Sequence, residues 1–306
     1  MAYPVAAGTP SYSGTFIPEI WSKKLIEKFY DSTVLTAISN TNYEGGIRNQ
    51  GDKVKIRTIP TMTINDYRAG QTLVNQRPES SNVELTIDKG KYWSAIVDDV
   101  METQSDINLM NMWAQDASEQ MKIAIDTSVL GSVAADVAAA NKGATAGRIS
   151  SSLNLGVTGT PVGLTASNIL AFILSMGQAL DEQNRPETGR FLVMPYWAST
   201  LLKLSDLKDA SLTGDGTSPV RNGRIGMIDR FTIYQSNNVR KVTDGAETCY
   251  DFIAGVKNGL TFASQLVKTE QLRAESTFGD IMRGLQIYGF KVIDGESLVA
   301  GYAYKD

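Results

Sequence analysis

The sequence predicts an α+β fold, and three observations predict it. Two stretches, Asp52 to Ile64 (DKVKIRTIPTMTI) and Val83 to Val97 (VELTIDKGKYWSAIV), alternate apolar and polar residues with a period near two, as strands with one buried face do. Directly after them, Ile107, Met110, Ala114, Ala117, Met121, Ala124 and Ser128 recur at spacings of three and four, with Trp113 and Ile125 beside the stripe, as in a long helix. Beyond Gly163, strands and helices mix without the regular alternation of a doubly wound sheet.

Residues 1–16 are small, polar and rich in Gly, Ser and Pro, which predicts an extended arm. Pro18 then opens a short helix carrying Ile20, Trp21, Leu25, Ile26 and Phe29, and Gly45, Gly46 and Gly51 mark turns. The two alternating stretches pair as a β-arm around a polar tip, Asn65 to Asn82, with a reach on the order of 40 Å. A two-stranded ribbon of that length is marginally stable alone, so a neighbouring copy of the chain is the natural cover for its apolar face. Ser105 suits the N-cap of the long helix and Asp106 its first turn. The helix runs to a C-cap at Asn141, Lys142 and Gly143, which would give a rod on the order of 50 Å that Gly131 can bend.

Residues 143–163 are Gly-, Ser- and Thr-rich and predict an exposed loop. Thr165 caps a second helix with one apolar stripe, Ile169, Phe172, Ile173, Met176 and Leu180, ended by Asn184, Arg185 and Pro186. RFLVMP reads as a buried strand and YWASTLLKL as a short helix. A Gly- and Asp-rich surface loop covers 205–224. Strands follow at Phe231 to Ser236 and Tyr250 to Val256, and the chain closes with AGVKNGLTFASQL, QIYGFKVI and SLVAGYAY.

Composition narrows the chemistry. The 306 residues are 42% hydrophobic, enough for a sizeable core. A net charge of −4 argues against a nucleic-acid reader, which carries a basic face. There is no histidine, which removes the serine–histidine–acid triad, the cysteine–histidine dyad and the HExxH zinc helix. The single cysteine, Cys249, excludes an intrachain disulfide or a multi-cysteine zinc site and reads as a structural thiol. No signal peptide and no run of 18 apolar residues is present.

Local motifs add no catalytic site. Asp98, Asp99, Glu102 and Asp106 offer oxygen ligands for a divalent cation but lack calcium-loop spacing, and a solvated helix entrance accounts for them as well. IDGES at 293–297 has one acid where a calcium loop needs three, and GDGTSP at 214–219 has no GK[ST] and reads as a turn. Met101, Met110, Met112 and Met121 read as core filler. The arm's cations, Arg57, Arg68, Arg77, Lys89 and Lys91, read either as a solubilising edge or as partner contacts; with Tyr67 they are the candidate inter-subunit contacts. No cofactor or metal is expected.

The order of elements carries a resemblance: an N-terminal arm, a long two-stranded loop opened by GDKVKIRTIP, a long helix, RFLVMPYWASTLLKL, and FGDIMRGLQIYGFKVI before an apolar last strand. Over nearly its whole length this resembles the major capsid proteins of tailed bacteriophages, the family with the Hong Kong 97 fold. The resemblance implies an N-arm at 1–50, an extended loop at 51–98, a peripheral domain at 99–190 and 263–306 built on a spine helix, and an apical domain at 191–262. It implies pentamers and hexamers closing into an icosahedral head around double-stranded DNA, held without sequence-specific binding. Assembly would take place in the host bacterial cytoplasm, with the loop lying over an adjacent subunit. Implied partners are a portal protein, a possible decoration protein and, because the chain starts almost at the arm, either prior maturation or a separate scaffolding protein. The tip contains no lysine, so the lysine–asparagine crosslink of some members is not expected. Two alternatives stand beside this one: an encapsulin-like compartment shell of the same fold, and a histidine-free metal-dependent enzyme using Asp98 to Asp106.

Overall fold

A computed structural model describes residues 31, 33–42, 53–57, 60, 62–79, 82–99, 109–205, 226–275 and 277–306. The predicted arm at 1–16, the helix opened by Pro18 and nearly all of the loop at 205–224 lie outside the described residues.

A mixed seven-stranded sheet forms the centre. Its order is β4 (Val162–Leu164), β12 (Leu298–Lys305), β9 (Glu247–Val256), β5 (Arg190–Met194), β7 (Phe231–Gln235) and β6 (Met227–Ile228), with β8 (Lys241–Asp244) also pairing on β9. All five residues of β5 are buried, as expected of a strand covered on both faces. Alternation along it divides the core: Leu192 and Met194 join one cluster with Phe252, Ala254 and Val299, whereas Phe191 and Val193 join another with Ile253 and Leu298.

The first face is covered by α3 (Ile169–Glu182) and α4 (Tyr196–Leu204), the second by α1 (Leu35–Ile38) and the C-terminal half of α2 (Leu109–Val133). The apolar stripe predicted for α3 is buried at every position. Its start differs from expectation: Thr165 is not the cap. Asn168 precedes the first helical residue, and its side chain turns back to accept from Thr165 N at 2.8 Å and donate to Gly163 O at 2.8 Å. At the other end Asn184 takes a left-handed φ of +54° while Asn184 N donates to Asp181 O and Arg185 N to Leu180 O, a complete Schellman cap.

The long helix is shorter and rotated relative to expectation. Its described part ends at Val133, where Lys142 Nζ donates to the carbonyls of Ala134 and Ala135 at 3.4 and 2.7 Å and satisfies the chain end. Asn141 is no cap; it is buried and donates to Glu296 O and Leu298 O, bridging to the last strand. The buried face is Ile125, Asp126, Val129, Leu130 and Val133, and Ala124 of the predicted stripe is exposed. Alanine and serine bury too little apolar area to set the rotation, so the bulky residues one position away set it. The predicted exposed loop at 143–163 is partly interior, since Ala146 and Leu155 are fully buried in the first cluster.

A second, three-stranded sheet has the order β10 (Leu260–Arg273), β11 (Gly279–Val292) and β3 (Lys89–Asp98). Here the predicted β-arm is corrected. Only β1 (Lys53–Arg57) and β2 (Asn82–Thr86) pair as a hairpin, and the stretch predicted as one strand breaks at Ile87 and Asp88, after which β3 pairs with β11. The break follows from packing. Ile56, Leu85 and Ile87 bury together against Ala263, and the chain crosses β11 at Gly289, where an added Cβ would lie 2.2 Å from Thr86 O. That crossing fixes where ribbon ends and sheet begins.

Candidate assembly interface

The ribbon projects from this crossing as a loop in which all residues from 62 to 79 are exposed. Its turn is Arg68-Ala69-Gly70-Gln71: Gln71 N donates to Arg68 O at 3.0 Å, and Gly70 takes a φ of +84° that suits the third position of a type II turn. Gln71 Oε1 in return accepts from Arg68 N at 3.1 Å. Further back, Gln76 accepts from Thr63 N at 3.0 Å and donates to Thr63 O at 2.8 Å. The tip presents apolar side chains to solvent: Ile64 is 91% exposed, Val74 78%, Tyr67 70% and Leu73 69%. That is a large exposed apolar surface for one loop.

A second exposed apolar surface lies on the three-stranded sheet. Directly paired residues share a face, which places Tyr92, Leu285 and Lys268 in one row, Ser94, Arg283 and Glu270 in the next, and Ile96, Ile281 and Leu272 in the third. Tyr92 is 80% exposed and Ile96 46%. Between the apolar rows, Arg283 donates twice to Glu270 Oε2, at 2.9 and 2.7 Å, and Lys268 pairs with the same carboxylate. These cations, Lys268 foremost, hold the Glu270 carboxyl below its usual range. On the opposite face Trp93 sits over its cross-strand partner Gly284, where a Cβ would lie 2.2 Å from Nε1.

The sequence-predicted residues divide between these two places. Tyr67, Arg68 and Arg77 lie on the exposed loop, and Arg57 ends β1 opposite Asn82. Lys89 and Lys91 are not on the ribbon: both are on β3, where Lys89 lies over the Phe290 ring at 5.1 Å and Lys91 pairs with Gln286. The acidic cluster is divided as well. Hydrogen bonding to Arg273 holds the Asp99 carboxyl below its usual range, and Arg273 also reaches Asp280 at 3.3 Å. Asp98 is exposed opposite Gly279, and Glu102 and Asp106 lie outside the described residues. Among the described residues no group of three acids or cysteines is placed to hold a metal ion. Asp294 of IDGES has structural work: it accepts from Glu296 N and Ser297 Oγ and pairs with Arg185.

A cleft of about 970 Å³ opens between the ribbon base, the end of α2 and β12. Most of its charges are paired within it, Arg240 with Asp251, Lys291 with Asp136 and Lys89 with Asp88, and burial pushes the Asp251 carboxyl up against the pull of Arg240.

Sequence reasoning missed two buried polar ties within the body of the fold. Asp126 is 1% exposed on α2, and its carboxylate accepts from Val34 N at 3.2 Å, Leu35 N at 3.0 Å and Asn238 Nδ2 at 2.9 Å, joining three segments. Burial pushes its carboxyl above the usual value, against those bonds. The signal was present as a lone acid inside the apolar run IAIDTSVL. Arg190, buried at the start of β5, donates to Asp181 at 2.7 Å, and Arg230 holds the other oxygen at 2.7 Å. Burial opposes ionisation of Asp181, but the two guanidinium groups outweigh it and keep that carboxyl low.

Comparison with known proteins gives the arrangement its context. The family described as phage capsid protein matches residues 82–301, more than half of the chain. A solved structure from Mycobacterium phage Che8 is similar at 27% identity, with a TM-score of 0.78 over 95% of this chain and 98% of that one. The capsid of cyanophage P-SCSP1u aligns at 15% identity and a TM-score of 0.73, over 95% and 94% of the two chains. The capsid of cyanophage Pam1 aligns at 11% identity and 0.70, over 96% and 98%; likenesses at that level speak to fold. No curated protein matches the chain. The family match over more than half of the chain and the likeness in fold agree, and the chain belongs to the phage capsid protein family, as a tailed-phage major capsid protein of the Hong Kong 97 fold.

Proposed function

We propose that the chain is the shell subunit of an icosahedral phage head, assembling as pentamers and hexamers around packaged double-stranded DNA without reading its sequence, and catalysing nothing. The observation that carries this reading is the exposed loop at 62–79: among the described residues nothing covers its apolar tip, and a sheet face stands open around Tyr92, Ile96 and Leu285. A donor patch and a different acceptor patch on one molecule make a head-to-tail contact, which closes into rings and then shells. On this reading Arg57, Tyr67, Arg68, Arg77, Lys89 and Lys91 contribute to contacts between copies. The division into N-arm (1–50), extended loop (51–98), peripheral domain (99–190 and 263–306) and apical domain (191–262) belongs to the same proposal. So do a portal protein, a separate scaffolding protein and a decoration protein as partners, and assembly in the host cytoplasm before the subunit takes its place in the virion.

Negative-stain electron microscopy of the concentrated full-length chain tests the reading. Closed shells or five- and six-membered rings are expected, and deleting residues 66–81 is expected to leave a folded, soluble protein that no longer assembles. A chain that stays monomeric under every condition, including addition of lysate as a source of scaffold, overturns it. Co-purifying DNA, in place of an enzyme cargo, separates a phage head from a compartment shell.

A further inference from the structure

The described pairs of the loop share one antiparallel register. Lys53 pairs with Thr86 and Arg57 with Asn82 in the hairpin ladder, Thr63 meets Gln76 through a side chain, and Arg68 meets Gln71 at the turn. In each pair the two residue numbers add to 139. Yet residues 64–67 and 72–75, which face one another in this register, exchange no backbone hydrogen bond.

What stands in for the missing ladder is the Gln76 carboxamide. It accepts from Thr63 N and donates to Thr63 O, the same pair of bonds that a facing strand residue makes with its own backbone. Glutamine suits this task because one planar group carries both a donor and an acceptor. Beyond this rung 64–67 and 72–75 make no backbone bond across the loop, and Ile64, Leu73 and Val74 are turned to solvent. A loop whose limbs are already held in register loses less conformational freedom on capture than one that must find its register on contact.

We propose that Gln76 is a positioning residue for assembly, a side-chain rung that presets the loop so that its apolar tip is presented to a second copy of the chain. This rests on the reading that the loop engages a neighbour. The test uses the full-length chain with two measurements: the concentration at which shells form, by light scattering, and the amide exchange of Thr63 in the unassembled subunit. Gln76→Met keeps bulk and removes both bonds. It is expected to raise the assembly concentration about three- to tenfold and speed Thr63 exchange by a similar factor, the loss expected for a net hydrogen bond in water. Gln76→Glu keeps the acceptor for Thr63 N and loses the donor, and falls between. A Gln76→Met chain that assembles at the wild-type concentration overturns the proposal, as does one whose assembly shifts while Thr63 exchange does not. An Ile64→Ser, Val74→Ser chain that assembles normally overturns the loop-docking reading itself; if that chain fails and Gln76→Met does not, the rung alone is refuted.

Discussion

Replacing Asp126 with alanine tests whether one buried carboxylate ties the N-terminal segment to the long helix. The substitution takes their shared acceptor from three donors, Val34 N, Leu35 N and the Asn238 amide. An unsatisfied buried donor costs about 1–3 kcal/mol, and with some relief from entering water the sum comes to about 3–4 kcal/mol. Asp126→Asn keeps an oxygen for Val34 and Leu35 but sets an amide donor against Asn238, so its loss is expected at about 1–2 kcal/mol. The assay is denaturant unfolding of the unassembled subunit followed by tryptophan fluorescence. Acid adds an independent signature. Because burial raises the folded-state carboxyl, its stabilising contribution is full below the unfolded value and is lost as pH rises through the folded value. Wild type therefore gains stability relative to Asp126→Ala on acidification from neutral pH. A loss under 1 kcal/mol at neutral pH, or a difference that does not grow on acidification, refutes the reasoning.

Two further predictions follow from the same structure. Gly289→Ala is expected to cost about 1–3 kcal/mol and impair shell formation more than the fold, because the new methyl meets backbone at Thr86 O and Ile87 Cα and pushes the ribbon base off β11; unfolding and assembly measured on one preparation check this. Glu182 accepts from Ile149 N at 2.7 Å and Ser150 N at 3.0 Å, which outweigh the effect of burial and bring its carboxyl down to about 2. Its contribution is present above the unfolded value of 4.5 and is lost as pH falls toward about 2, opposite in sign to Asp126; Glu182→Gln is expected to flatten that part of the stability–pH curve.

The sequence by itself determined the elements whose pattern is dense. The α3 stripe, the fully buried RFLVM strand and the Tyr196–Leu204 helix stand where periodicity placed them, because large apolar residues at helical or strand spacing leave one way to bury them. It determined the α+β class. Tertiary structure decided the rest. The rotation of α2 depended on α1 and the sheet it meets, since a stripe of Ala and Ser is energetically weak. The division of 83–97 between ribbon and sheet depended on β11, which lies some 190 residues away in sequence and whose Gly289 admits the crossing chain. The rung at Gln76 depended on register, which a polar tip does not encode, because a glutamine in a hydrophilic loop reads as solvent-facing until the limb opposite it is known. Local patterns fix what buries itself, whereas contacts between distant segments are chosen by the free energy of the whole chain.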